Sequence, residues 1–369
     1  MRRLTVVQLL PALHSGGVER STLEIAQALV QAGHRAIVVS AGGRLVAPLL
    51  DSGAEHLALD IGRKSLLTLR HVVALRRLFA ETGADIVHAR SRVPAWLGWH
   101  ALRGMPRERR PHWVTTMHGL NSPGRYSGIM ASGERVICVS RSVRDYLLAH
   151  YPGTDPQRLR VIPRGVDLAQ FPHVAPADRR PRLAVEALHP ALAGAGPLLL
   201  PGRGTRLKGH AHALRLLAAL RGHGVPARLW MPGAREPGRE AYVRDLEQQA
   251  ATLGIADAVA ITEPTARIAQ AYAASDLVLQ LSDKPEAFGR TVLEALAVGR
   301  PVLGWGHGGV GELLAQLQPS GAVPPGDAAA LAARALDLLR QPPSLPRRIP
   351  FTLRAMQRAT LDVYGELVG

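Results

Sequence analysis

The stretch Leu198-Leu199-Leu200-Pro201-Gly202-Arg203-Gly204-Thr205-Arg206-Leu207-Lys208-Gly209 runs a short apolar segment straight into a basic, glycine-rich turn. Helical spacing of apolar residues follows over 208–222, so the unit reads strand, turn, helix. Glycines at 202, 204 and 209 permit close backbone approach, and Arg203 with Lys208 can converge on a diphosphate. It is not a Walker loop, which places Gly and Lys together with Ser or Thr after them. Taken alone, the same residues also suit a solvated basic turn.

The chain opens on the same unit. Leu4–Leu10 is an apolar strand running into Ser15-Gly16-Gly17-Val18-Glu19, and Val18, Thr22, Ile25, Ala26 and Leu29 form one helix face that ends at Gly33. Amides at such a helix start bind anions, although a merely tight turn fits equally well. Met1-Arg2-Arg3 ahead of Leu4–Leu13 superficially resembles a short signal peptide; a buried first strand explains these residues without a cleavage site. Ala36–Ser40, Asp85–His88, Trp113–Met117 and Val136–Ser140 read as further strands separated by helices. A second series begins at Leu198: helix 208–222, strand 227–231, helix 238–253, strand 258–261, helix 266–274, strand 277–281, helix 288–298, strand 301–305, helix 309–316 and helix 327–340. Asp167–Pro197 reads as a linker, as does Gln341-Pro-Pro-Ser-Leu-Pro, and Phe351–Val368 as an amphipathic helix returning to the first domain. The expectation is an α/β protein of two doubly wound, Rossmann-like domains facing across a cleft, residues 1–174 with 350–369 and residues 175–349.

A length of 369 residues with 47% hydrophobic content supplies two cores. Aromatic residues make up 4%, too few for base-stacking platforms. The single cysteine, Cys138, excludes an internal disulfide and multi-cysteine zinc sites, and a reducing compartment fits. No apolar run approaches a membrane span. The net charge is +16, and residues 1–174 hold 23 Lys/Arg against 12 Asp/Glu while the remainder holds 22 against 17. Such a field favours anionic partners, whether acidic membrane, phosphorylated glycolipid or nucleic acid. Free use of Arg on solvated surfaces accounts for it as well, since three of the 45 cations are Lys.

Two carboxylates stand in Glu286-Ala287-Phe288-Gly289-Arg290-Thr291-Val292-Leu293-Glu294, where Pro285 and Gly289 mark a helix start and Gly299 its end. Glu286 falls at or just before that start and Glu294 about two turns in. Eight helical residues rise about 12 Å, too far for a glycosidase pair at roughly 5 to 9.5 Å. The spacing suits two anchor points on one long ligand with phosphates near the helix start; solvated surface glutamates are the alternative. His118 ends the strand Trp113–Met117, where doubly wound sheets place ligand contacts, although a lone histidine is often structural. Gly304-Trp-Gly306-His-Gly308-Gly309 matches GxGxxG but lacks the acidic residue of a dinucleotide fingerprint, so it reads as a glycine-rich ligand loop. There is no DxD, HExxH or GxSxG, which argues against a dedicated metal site and the commonest α/β hydrolase.

Together the motifs resemble the family-4 glycosyltransferases, retaining enzymes of the GT-B fold. The likeness runs in order through Gly16-Gly17, Met117-His118-Gly119, Val139-Ser140, Pro163-Arg-Gly-Val-Asp167, Arg203-x4-Lys208-Gly209, Ala273-x-Ser-Asp276, Glu286-x7-Glu294 and Gly308-Gly-x-x-Glu312. It implies that Arg203 and Lys208 neutralise the leaving diphosphate in place of a metal, so no cofactor is expected beyond the nucleotide-sugar substrate. Glu286 would hold donor-sugar hydroxyls, and the amides of Phe288, Gly289 and Arg290 would meet sugar and phosphates. Glu294 would bind ribose, His118 the donor sugar, and Gly16, Gly17 and Gly202 would line the substrate. The segment Ile261–Pro264 would border the base. Arg164 stands where many members carry Asn, a departure expected to tune a phosphate contact. The resemblance implies front-face hexose transfer with retention, metal-independent, from a nucleotide sugar, with UDP-glucose and other UDP-hexoses ahead of GDP-mannose. The acceptor would be a glycolipid or polysaccharide of lipopolysaccharide-core type. The enzyme would be cytoplasmic, peripheral on the anionic inner face of the membrane, and would bind no nucleic acid. A nucleotide-sugar 2-epimerase shares the fold and is the second reading. A basic nucleic-acid-binding protein is suggested by charge alone and lacks a reader motif.

Overall fold

The apolar runs of the first half pair into one parallel sheet in the computed structural model, which describes residues 2–14 and 16–369. Its strands are β1 (Thr5–Leu9), β2 (Arg35–Ser40), β3 (Glu55–Ala58), β4 (Ile86–Ala89), β5 (His112–Met117), β6 (Arg135–Cys138) and β7 (Leu159–Val161), in the order β3-β2-β1-β4-β5-β6-β7. The strand after the basic N-terminus is thus β1, central in its sheet, with Val6, Val7 and Leu9 fully buried. Helices cover both faces, which is why these strands read as continuous apolar runs instead of alternating ones. The two faces of the sheet carry separate apolar clusters, one around Val6, Leu29 and Tyr364, the other around Leu9, Phe79 and Trp113.

The second half repeats the plan with β8 (Pro197–Leu199), β9 (Arg228–Pro232), β10 (Val259–Thr262), β11 (Leu277–Gln280), β12 (Val302–Trp305) and β13 (Ala322–Val323), ordered β10-β9-β8-β11-β12-β13. In both sheets the strand order reverses beside the first strand, the topology that places ligands beyond the strands' C-terminal ends. One cluster including Leu198, Leu217, Leu279 and Trp305 forms this unit's core. The chain divides into Met1–Gly165 with Leu353–Gly369, and Val166–Thr352. Residues after Gly165 are tied into the second unit: the Val166 N–H donates to the Phe351 carbonyl (2.9 Å) and the Val174 N–H to that of Val298 (3.0 Å). The terminal helix Leu353–Val368 buries Met356, Val363 and Tyr364 in the first unit's core.

Sequence reading passes over three strands, β3, β7 and β13, each at a sheet edge. Edge strands are short and half-solvated, so they lack the apolar run that reveals a central one; β3 is largely exposed. The expected linker 167–197 contains the helix Arg180–Leu188, with Pro181 in its first turn and Val185 buried. Proline there is a helix start, not a break. Among the described residues no helix is long and apolar enough to cross a membrane.

Candidate functional site

In the second unit, β8 leads through Gly202, Arg203 and Gly204 into a single helical turn, Arg206–Lys208, closed by Gly209 at φ 76°. A side chain at 209 would be strained and would overlap the Leu281 carbonyl. Gly209 therefore presses this turn against the end of β11, which brings Lys208 to Glu286. The Lys208 Nζ donates to Glu286 Oε1 at 2.6 Å, and Ser282 Oγ donates to the same oxygen at 2.6 Å. Burial alone would push the Glu286 carboxyl up, but the Lys208 charge and hydrogen bonds from Lys208, Ser282 and Gln280 outweigh it and hold it below its ordinary value. Glu286 is thus an ionised, oriented carboxylate. Gly202 donates its amide to the Pro232 carbonyl (3.0 Å). Arg203 is exposed, and its side chain makes no hydrogen bond or ion pair among the described residues.

The helix after Glu286 spans Arg290–Val298, two residues shorter at its start than the spacing suggests. Gly289 caps it at φ 101°, a left-handed conformation, and a Cβ there would lie 2.9 Å from Val310 Cγ2. Glu294 consequently stands about one turn into the helix, not two, and Glu286 lies before it on the connection. Glu294 is buried; it accepts from the Tyr272 hydroxyl at 3.0 Å and faces Arg290 Nε at 3.4 Å. The backbone N–H groups of Phe288 and Gly289 donate to no acceptor among the described residues, leaving donors at a helix N-terminus. Phe288 is buried edge-to-face against Phe351.

The glycine-rich loop 304–309 has a structural job that its pattern does not announce. The Gly309 amide donates to the Glu286 carbonyl at 2.8 Å, and side chains at 308 or 309 would overlap the backbone of Glu286–Phe288. The loop braces the carboxylate segment from behind through Gly308 and Gly309. His307 Nε2 meets the Ser282 carbonyl at 3.1 Å.

In the first unit, Gly16 caps the helix Gly17–Gln31 and Gly17 is its first residue; Ser15 lies outside the described residues. His118 follows β5 and borders a cavity of about 230 Å³ shared with Val18, Arg90, Arg92, Thr116 and Asn121. Arg164 donates to His118 Nδ1. An arginine cannot accept, so Nδ1 is the bare nitrogen and Nε2 carries the hydrogen. Nε2 is buried without a partner among the described residues. Burial, with Arg164, Arg90 and His88 beside it, holds His118 well below its ordinary value and neutral. Arg164, the residue that departs from the family pattern, is buried and orients this histidine. Arg90 is also buried, donating to Gln8 Oε1 (2.7 Å) and Ser21 Oγ (2.7 Å).

Ser282 and Tyr272 are partners that sequence reading misses. Both sit among apolar neighbours at the end of β11 and on the helix Ile268–Ala274, and nothing in the pattern separates them from core positions.

The neutral histidines make stability fall in acid. Burial lowers His88 and His118 well below 6.5 and His210 to about 4, while the unfolded chain titrates near 6.5. Below 6.5 the unfolded state binds the extra protons, so this contribution is complete above 6.5 and is lost as pH falls toward the folded values. Urea unfolding at about pH 5.5 is expected to show a loss of roughly 1 kcal/mol per buried histidine relative to neutral pH. An unchanged midpoint would contradict it.

Residues 15–170 match the family model described as Glycosyltransferase Family 4, and residues 197–350 match the one described as Glycosyl transferases group 1. A glycosyltransferase of known structure from Rickettsia africae ESF-5 superposes with a TM-score of 0.86 at 28% identity, covering 100% of this chain and 99% of that one. An Anabaena protein crystallised with UDP and glucose shares the fold, with a TM-score of 0.77 at 22% identity, covering 99% of this chain and 96% of that one. Among curated relatives, the D-inositol 3-phosphate glycosyltransferase of Rhodococcus opacus (strain B4) is 30% identical over 244 residues, covering 62% of this chain and 53% of the relative. The chain thus spans about half the length of that relative.

Proposed function

Because the chain belongs to the GT-B glycosyltransferases, with a family 4 domain in its N-terminal half and a group 1 domain in its C-terminal half, we propose that it is a retaining hexosyltransferase using a nucleotide sugar. The observation that carries this reading is the cluster of Lys208, Ser282 and Glu286 beside the start of the helix bearing Glu294. It offers an ionised carboxylate for sugar hydroxyls, a cation and free amides for a diphosphate, and a second carboxylate one helical turn on for a ribose.

Lys208, preorganised by Glu286, stabilises the leaving diphosphate together with the exposed Arg203, a task that cations can serve without a metal. Glu286 positions the donor sugar; the amides of Phe288, Gly289 and Arg290 meet sugar and phosphate, and Gly202 leaves the space they need. Glu294 takes the ribose hydroxyls. The leaving phosphate accepts the acceptor's proton, so no side chain acts as covalent nucleophile. His118, neutral with its hydrogen on Nε2, donates to a sugar oxygen, and the Gly16-Gly17 turn approaches diphosphate and acceptor. The donor is a UDP-hexose, UDP-glucose in the first place. The acceptor is a glycolipid of envelope or lipopolysaccharide-core type, reached by peripheral attachment of the basic first unit to the anionic inner face of the cytoplasmic membrane. The Rhodococcus relative is named for a phosphorylated acceptor, which also fits a basic acceptor unit.

Thermal shift with UDP, GDP and ADP tests the donor. UDP at a hundredfold excess over Kd is expected to add about 2.7 kcal/mol of stability, and GDP and ADP clearly less. Preference for GDP would move the donor to GDP-mannose, and no response to any nucleotide would overturn the reading.

A further inference from the structure

Three connections at the C-terminal edge of the first sheet border a second, open pocket of about 490 Å³: residues 63–69 after β3, the helix Arg92–Arg103 after β4, and Tyr126 after β5. Its walls are aromatic and apolar, with Trp96, Tyr126, Leu69 and Val93, and its rim carries Arg63 and Lys64. In a chain with five Trp and six Tyr this is a concentration of aromatic surface. The Trp96 indole is fixed by donating to the Tyr126 carbonyl at 3.0 Å. Lys64 Nζ and Arg92 Cζ lie 5.6 and 5.2 Å from the Tyr126 ring centre. Among the described residues no carboxylate lines the pocket. Arg63 is paired with Asp60 at 2.6 Å, whereas Lys64 has no acidic partner among the described residues.

Two further observations narrow the occupant. Arg92 lines the His118 cavity and stacks on Tyr126, which lines this pocket, so the Arg92–Tyr126 pair stands between the two spaces. Beside the rim, Leu67, Leu69 and Val73 are 75%, 52% and 50% exposed. Large apolar side chains exposed together next to cations mark a surface that meets an amphiphile. A polar sugar alone leaves this lip unexplained, and a flat bilayer surface leaves the aromatic walls of the groove unexplained.

We propose that this pocket is the acceptor site and that the acceptor is a lipid-linked anionic saccharide. Its ring rests against Trp96 and Tyr126, its phosphate or carboxylate meets Lys64, and its alkyl chain crosses Leu67, Leu69 and Val73. The inference rests on the glycosyltransferase reading and names its acceptor class.

Tryptophan fluorescence of the full chain, titrated with dodecyl phosphate below its micelle concentration, tests it. Saturable binding is expected, with inorganic phosphate and dodecyl maltoside weaker by about tenfold or more, since each lacks one half of the recognition. Dodecanoate in parallel separates a carboxylate from a phosphate preference. Lys64→Glu and Tyr126→Ala should each weaken dodecyl phosphate by about tenfold and Leu69→Ser by about threefold. The thermal shift given by UDP should stay unchanged in all three, which also shows that they fold. Binding that is indifferent to these substitutions, or that grows without saturation, would mean surface adsorption and overturn the acceptor site. Loss of the UDP response in the wild-type chain would instead strike the glycosyltransferase reading.

Discussion

Replacing Lys208 with Met is expected to lower kcat by about 10² to 10³, the cost of removing one preorganised donor from a developing anion. Lys208 is held ready: Gly209 pins its turn against β11 and Glu286 accepts its ammonium at 2.6 Å. A pinned cation needs little reorganisation when charge develops on the leaving diphosphate, which is where its catalytic value lies. The substitution has a second consequence. With the Lys208 charge gone, burial of Glu286 is opposed only by neutral hydrogen bonds, so its carboxyl should move upward. The acid limb of the residual pH–rate profile should therefore shift to higher pH, and Lys208→Arg should keep that limb near its wild-type position while recovering part of the rate. Stopped assays of UDP-glucose consumption across pH give both quantities. A kcat within about threefold of wild type for Lys208→Met would remove it from the chemistry.

Much of the plan was legible because its signals are local. Strand, glycine turn and helix follow one another at β1 and β8, and buried parallel strands announce themselves as unbroken apolar runs. The edge strands β3, β7 and β13 were not legible, since partial solvation leaves Glu55–Ala58 looking like a loop. The helix Arg180–Leu188 hid behind Pro181 and a Pro- and Arg-rich neighbourhood. At the site, the residue types were readable but their pairings were not. The link from Lys208 to Glu286 spans 78 positions and depends on how β8 and β11 lie side by side. The contact of Arg164 with His118 depends on where the chain leaves β7. The loop at 304–309 shows the converse, a packing role that its pattern does not announce. Its glycines match a ligand pattern, yet two of them, Gly308 and Gly309, have a packing reason in the backbone of Glu286–Phe288 against them.

Substitutions of the two glutamates are expected to separate binding from turnover, but alanine is the wrong probe for one of them. Glu294 is buried, accepts from Tyr272 and faces Arg290, so Glu294→Ala removes a carboxylate from a buried pair. Losses on the order of 3 kcal/mol in stability are expected from that alone, and an inactive protein would then say nothing about ribose. Glu294→Gln keeps the volume and a carbonyl oxygen for the Tyr272 hydroxyl. It should leave the urea midpoint nearly intact while weakening UDP by about 10- to 100-fold, as for lost hydrogen bonds to a charged group. Glu286 answers to the opposite logic. Its backbone is held by Gly309, and its side chain contacts Lys208 and Ser282 at a half-buried position. Glu286→Gln should therefore preserve UDP affinity within about threefold and lower kcat by about 10², because a misoriented sugar forfeits alignment, not nucleotide contacts. Calorimetric titration with UDP, beside kcat measured at saturating donor, reads the two effects separately. If both variants lost turnover equally with UDP affinity unchanged, Glu294 would not be the ribose anchor. The one-turn offset between the helix start and Glu294 would then have to serve the helix itself, through Arg290 and Tyr272, and the nucleotide would have to be held by the free amides at Phe288 and Gly289 together with Lys208 and Arg203.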